Sequence, residues 1–259
     1  MTRLVRVELL KLRTMRVTYG LLAAAVAITA LFSALQASRA GRAVAPISTA
    51  AGLGNVTTAS GVAMILAAVL GVLVTSGEFR HTSATLTYLA TPDRRRVLGA
   101  KAVATALFGA CYGLAAGIVA TAVGLAFVAG NGDHVTLGTA TLIGHVAGAG
   151  AGAALLAALG VGIGSLVRAQ LAGVIGVFVW CLVIESIVGG SISAVRPYLP
   201  YTAAATLGGA KLGAAAFGPG YSVSSQQALP FLAAAALVVA IATVISLLAE
   251  RTTLRHDVT

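Results

Sequence analysis

Long apolar runs broken by short polar stretches dominate the chain. There are no short segments of alternating polarity, as barrel strands need; the apolar runs are continuous and long. A helix needs about 20 residues to cross roughly 30 Å of hydrocarbon at 1.5 Å per residue. The runs that meet this length predict six helices near 18–37, 54–76, 103–129, 136–167, 170–190 and 229–249. The fourth run exceeds one straight span and predicts tilt or extension past the bilayer. The expected fold is therefore an all-α integral membrane protein of one transmembrane domain, 1–259. The first run resembles a signal peptide, with basic residues before it and Ala34-Leu35-Gln36-Ala37 at its end. Its length from Val17 to Ala37 exceeds an h-region of 7–15 residues, and it is expected to stay as the first span.

Three polar stretches carry patterns of their own. In 1–17, Val5, Leu9, Leu12 and Met15 fall near one helical face and Arg6, Lys11, Arg13 and Arg16 mostly around the other. Glu8 stands three residues before Lys11, a helical pairing distance. This predicts an amphipathic helix lying in the membrane interface, the plainer alternative being a basic flank to the first span. The stretch 77–101 runs GEFRHTSATLTYLATPDRRRVLGAK. Residues 79–91 are expected to form a short helix along the membrane, or else a charged loop that sets topology. The stretch 191–228 contains Pro197, Pro200 and Pro219 and predicts an extracellular loop with a short re-entrant or surface helix around 201–216.

Composition makes lipid the solvent for most of this pattern. Hydrophobic residues make up 58% of the chain and charged residues 9%, against about 25% charged in soluble domains. With the N-terminus inside, 13 of the 17 Lys and Arg lie on the cytoplasmic side; Arg39, Arg42, Arg196 and Lys211 lie outside. That asymmetry places both termini in the cytoplasm and the protein in the cytoplasmic membrane. The net charge of +10 then reads as topology and attraction to anionic lipid, with no nucleic-acid partner. Gly144, Gly148 and Gly152, followed by Gly160 and Gly164, mark close helix approach, within the chain or across a dimer.

Candidate chemistry is sparse. The phosphate-binding pattern Gly-x-x-x-x-Gly-Lys-Ser/Thr is absent, and none of Lys11, Lys101 and Lys211 follows a glycine. Cys111 and Cys181 sit in apolar runs and read as packing. The four histidines are scattered, so no metal site is expected. The chain is not expected to be an enzyme, and no catalytic residue is assigned. Glu185 and His145 are the ionisable candidates for a substrate path, since such groups within spans face a cavity or a partner. For Glu185 a pairing with Arg196 at the outer face is the other functional reading; the plainer alternatives are headgroup depth for Glu185 and a bond to a neighbouring helix for His145.

The stretch from Gly77, Glu78, Phe79, Arg80 and His81 through Thr82, Thr85, Thr87, Pro92, Arg94 to Arg96, Ala100 and Lys101 resembles the ABC type-2 exporter permease family in its actinobacterial form. Glu8 to Thr14 is similar to that family's opening helix. Trp180 to Glu185, with Tyr198, Leu199 and Pro200, is similar to its fifth helix and outer loop. Thr82 stands where the family often carries glycine. The resemblance implies a permease of six helices exporting a small apolar or amphipathic substrate. ATP and Mg would be bound by a partner ATP-binding subunit, in two copies, with no cofactor in this chain. A second permease chain, identical or different, would complete the path. Glu78, Phe79, Arg80, His81, Thr82, Pro92, Arg94 and Lys101 would couple to the ATPase subunit. An ion-coupled secondary transporter and a non-transporting anchor or assembly protein remain the alternatives.

Overall fold

A computed structural model describes residues 2–41, 45–80, 94–132, 137–167, 169–208 and 229–252. These residues are all helical apart from turns. Six helices are long and apolar enough to cross a membrane: Arg16–Arg39, Ala50–Glu78, Arg95–Gly130, Thr139–Leu166, Gln170–Ser191 and Phe231–Ala249. The chain is a multi-pass membrane protein.

In chain order, α1 (Thr2–Thr14) precedes α2 (Arg16–Arg39), with extended Met15 between them. The second span is built from α3 (Ala50–Thr57), a single 3₁₀ turn (Thr58–Ser60) and α4 (Gly61–Arg80). Hydroxyls explain that irregular join. Thr57, Thr58 and Ser60 each donate to the carbonyl three residues earlier, at 2.6–2.8 Å. Then come α5 (Arg94–Gly130) and α6 (Thr139–Leu166). The fifth span comprises α7 (Gln170–Phe178), a π-helical stretch (Val179–Ile184) and α8 (Glu185–Ser191). A short α9 (Pro200–Leu207) and the last span, α10 (Phe231–Thr252), complete the order.

Helices α4 and α6 form the centre, with α2, α5, α7–α8 and α10 around them. The second span is 89% buried and the fourth 61%, against 17–33% for the others. Small residues permit this arrangement, because lipid tails supply no hydrophobic drive between helices and tight packing must do so. On α6 the glycines face several neighbours. A Cβ at Gly160 would collide with the Ala68 carbonyl of α4, and one at Gly148 with the Leu207 carbonyl of α9. From the α5 side, a Cβ at Gly109 would sit 2.6 Å from the Ala153 carbonyl oxygen of α6. Gly148, Gly152, Gly160 and Gly164 thus serve contacts within the chain, whereas Gly144 has open space around it. Gly160→Ala is expected to lower the melting temperature in detergent clearly, because the obstruction is backbone. Gly144→Ala is expected to leave it unchanged.

Three boundaries depart from the sequence reading. Helix α5 begins nine residues before 103, since Arg94 to Ala102 continue the helix although their polarity ends the apolar run. The outer helix expected at 201–216 is α9, Pro200–Leu207; the rest of that range from 209 lies outside the described residues. The short helix expected at 79–91 does not begin at 79, because Phe79 and Arg80 are the last residues of α4. Residues 81–91 lie outside the described residues.

Candidate functional site

The single acidic residues of α1 and α4 and two lysines meet at one end of the bundle. Lys101 Nζ lies 2.7 Å from Glu78 Oε1 and 3.5 Å from Glu8 Oε2. Lys11 Nζ lies 2.9 Å from Glu8 Oε1 and 3.1 Å from Glu78 Oε1. Each carboxylate therefore meets both ammonium groups, and the four charges sum to zero. Glu8 and Lys101 are buried, Glu78 nearly so, and Lys11 is half exposed.

Local structure puts these side chains in place. On α1 the spacing of Glu8 and Leu12 turns both toward the bundle, where Leu12 is fully buried. Lys11, assigned to the basic outer face from spacing, turns into this cluster. Arg3, Arg6 and Arg13 stay outward, with half-exposed Val7 and Leu10 among them. Lys101 lies two turns into α5 and Glu78 half a turn from the end of α4. The cluster thus joins α1 to both helices that flank 81–93.

A buried charge is tolerated only when paired and hydrogen-bonded, and this ring provides that for all four. Burial pulls the Lys11 ammonium down, but the hydrogen bond it donates to Glu8 and the charges of Glu78 and Glu8 outweigh it. The net effect raises Lys11 above the ordinary lysine value of 10.5. A raised ammonium contributes stability in full below the ordinary value and loses it as pH climbs through the raised one. Lys11→Met is therefore expected to lower the unfolding midpoint by the same amount from neutral pH to about pH 10, measured by thermal unfolding; a difference that vanished by pH 9 would contradict the assignment.

At the opposite end, Glu185 is buried and takes four donors. Its Oε1 accepts from Trp180 Nε1 at 3.0 Å and from the Tyr201 backbone N–H at 2.8 Å. Its Oε2 accepts from the Thr202 backbone N–H at 2.9 Å and the Thr202 hydroxyl at 3.0 Å. The two amides belong to the first turn of α9, which starts with Pro200 and has no cap from Leu199. Such N–H groups lack helical partners, and the positive end of the helix favours a carboxylate there. Glu185 is thus a cap supplied from another helix, and Arg196 is not among its partners.

That cap has a structural reason. α9 packs against Gly148 and Gly152 of α6, about 14–20 Å from the start of that helix at 1.5 Å per residue. At that depth backbone polar groups need protein partners. The π-helical stretch helps to aim Glu185. Gly173, Val177, Cys181, Glu185 and Gly189 are all buried. In a regular α-helix a four-residue spacing drifts about 40° per step, and the wider π turn takes part of that drift back.

His145 is half-buried on α6, with Nδ1 3.3 Å from the Thr57 hydroxyl. The same hydroxyl donates to the Gly54 carbonyl at 2.8 Å, and the tautomer of His145 sets which way the Thr57 contact runs. Thr57 is not among the four donors to Glu185.

Compared with known proteins, the chain matches no family model and no curated protein.

Of the coupling residues expected from the sequence, Glu78 and Lys101 are brought together. Phe79, Arg80 and Arg94 lie on helix ends whose side chains are outside the described set, and His81, Thr82 and Pro92 lie outside the described residues altogether. Sequence reasoning missed that Glu8 and Lys11 complete the ring. It also missed Trp180, Tyr201 and Thr202 as partners of Glu185; Pro200 at a helix start was the available signal.

Proposed function

We propose that this chain is the membrane-spanning permease subunit of an ATP-binding-cassette exporter. It moves a small apolar or amphipathic substrate across the cytoplasmic membrane, and separate subunits bind ATP and Mg and hydrolyse the nucleotide. The supporting observation is the ring of Glu8, Lys11, Glu78 and Lys101, which ties together both flanks of the segment that resembles the family's coupling loop.

In this reading the ring end of the bundle and both termini face the cytoplasm, as the basic residues favour. Two ATP-binding subunits dock against 77–101, and closure of those subunits on ATP pushes the segment. Because Glu78 and Lys101 are joined, α4 and α5 move together rather than spreading. The push passes to α6 through the close contacts at Gly71, Gly109 and Gly160. α1 lies in the inner interface, with its apolar face on the bundle and its arginines toward lipid headgroups. A second permease chain, identical or different, completes the path. The ion-coupled alternative requires Glu185 to exchange an ion, and its carboxylate is spent on four donors.

The test is purification from native membranes with identification of the partners, followed by ATPase assay of the complex. The proposal expects a partner carrying a phosphate-binding loop and hydrolysis stimulated by substrate. Arg80→Glu is expected to abolish the stimulation while insertion stays intact. Transport by the isolated chain driven by an ion gradient would contradict the proposal.

A further inference from the structure

Helix α1 has a second face, turned away from the bundle. Glu8 and Leu12 are buried, while Arg3, Arg6, Val7, Leu10, Arg13 and Thr14 are all exposed. Those six stand at i, i+3, i+4, i+7, i+10 and i+11 and form one stripe along the helix. The stripe holds three guanidinium groups and no carboxylate, and exposed Arg16 follows just past Met15. Among the described residues, no ion pair is made by Arg3, Arg6, Arg13 or Arg16. The ring, for its part, has a seam along α1. The bonds that cross it are Lys11 to Glu78 at 3.1 Å and Lys101 to Glu8 at 3.5 Å. If α1 lifts, Glu8 keeps Lys11 at 2.9 Å and Glu78 keeps Lys101 at 2.7 Å. Every member of the ring then still has a partner, so opening avoids the cost of an orphaned charge. Little else holds α1 down: Leu12 is its one fully buried apolar side chain. Isolated helices shorter than about 12–15 residues are marginal in water, and α1 has 13.

We propose that phospholipid headgroups of net negative charge seat on this arginine stripe and hold α1 on the bundle, so that lipid charge governs whether the ring is closed. Two observations favour a bilayer over an acidic protein as the occupant. The first membrane-spanning helix starts at Arg16, with Met15 as the one residue between it and α1. A helix tethered that closely to a span stays within reach of the headgroups. Val7 and Leu10, 50% and 55% exposed, lie between the arginines. Aliphatic side chains so placed can enter the boundary of headgroups and acyl chains, as those of interfacial helices do. The arginines supply the selection, because guanidinium groups form charge-assisted bonds to phosphate oxygens and an anionic leaflet attracts each of them. A zwitterionic leaflet offers phosphates without that net attraction. The headgroups and the ring then clamp α1 from opposite sides, and loss of the first weakens the second. The inference rests on the interfacial place given to α1 and not on the ATP-binding partners.

The test is hydrogen exchange across residues 2–14 of the full chain in nanodiscs, with no ATP-binding subunit present, so that neither outcome bears on the exporter reading. One set of discs is pure phosphatidylcholine and the other contains phosphatidylglycerol with the same acyl chains. Each arginine near a charged leaflet contributes about fivefold, so the three on the stripe predict exchange about a hundredfold slower with phosphatidylglycerol. Exchange in α4 and α6 is expected to be the same in both discs. Arg6→Gln alone should reduce the difference about fivefold. The triple variant Arg3→Gln, Arg6→Gln, Arg13→Gln should exchange in either disc as the wild type does in phosphatidylcholine. Equal exchange of wild-type α1 in the two discs would overturn the proposal, as would a difference that survives the triple variant. A slowing shared equally by α4 and α6 would overturn it too, because lipid charge would then act on the whole bundle. So would protection of α1 by an added cytoplasmic protein in pure phosphatidylcholine with no effect of phosphatidylglycerol.

Discussion

Lys101→Met is expected to destabilise the protein by about 3–5 kcal/mol, the usual cost of removing one partner from a buried ion pair. Lys101 is 2% exposed and contacts both Glu78 and Glu8. Without it both carboxylates lose the buried ammonium that touches them. The removed attraction is a smaller part of the cost than the charge left behind. Combining Lys101→Met with Glu78→Gln removes one of the two negative charges that lost the ammonium, and is expected to recover much of the loss. Steric-trapping or denaturant unfolding in detergent measures both variants. A double variant no more stable than Lys101→Met alone would show that the ring acts by packing instead of charge.

Glu185→Ala is expected to release α9 from the bundle. The substitution strips Trp180 Nε1–H and the Tyr201 and Thr202 amides of their acceptor. A buried donor left unsatisfied costs about 1–3 kcal/mol, and the two amides of the first turn of α9 lose their acceptor together. Hydrogen exchange at 201–207 should accelerate at least a hundredfold, while exchange in α4 and α6 stays slow. Glu185→Gln is the informative intermediate. Its amide keeps one acceptor oxygen but turns an NH₂ group toward donors, and its effect should fall between wild type and alanine. Exchange in α9 unchanged by Glu185→Ala would contradict the capping role and return Glu185 to the list of path residues.

The spans were legible because continuous apolar runs of sufficient length have one solution in lipid, the hydrogen-bonded helix. The α6 glycines were legible as packing for the same reason, although their partners were not. What hydropathy hid is the polar start of α5. Arg94 to Lys101 looks like a loop by polarity, and Lys101 is buried only because Glu78 and Glu8 neutralise it. Those partners stand 23 and 93 residues away in the chain, beyond any local pattern. The Glu8–Lys11 pair, three residues apart, was the one part of the ring that spacing alone could supply. The cap on α9 was hidden in the same way: an isolated carboxylate in an apolar run signals cost but not its partner, which lies 16 and 17 residues on. The π-helical stretch has no composition of its own and follows from burial of every fourth residue across the fifth span.

As a permease subunit, the protein must present the segment between α4 and α5 to the cytoplasm and to an ATP-hydrolysing partner. The most direct measurement places a photo-crosslinking amino acid at Thr87 in cells and identifies what it captures. The account predicts capture of a polypeptide with a phosphate-binding loop, and protection of the same position from membrane-impermeant reagents added outside. Labelling of position 87 from the exterior would contradict it.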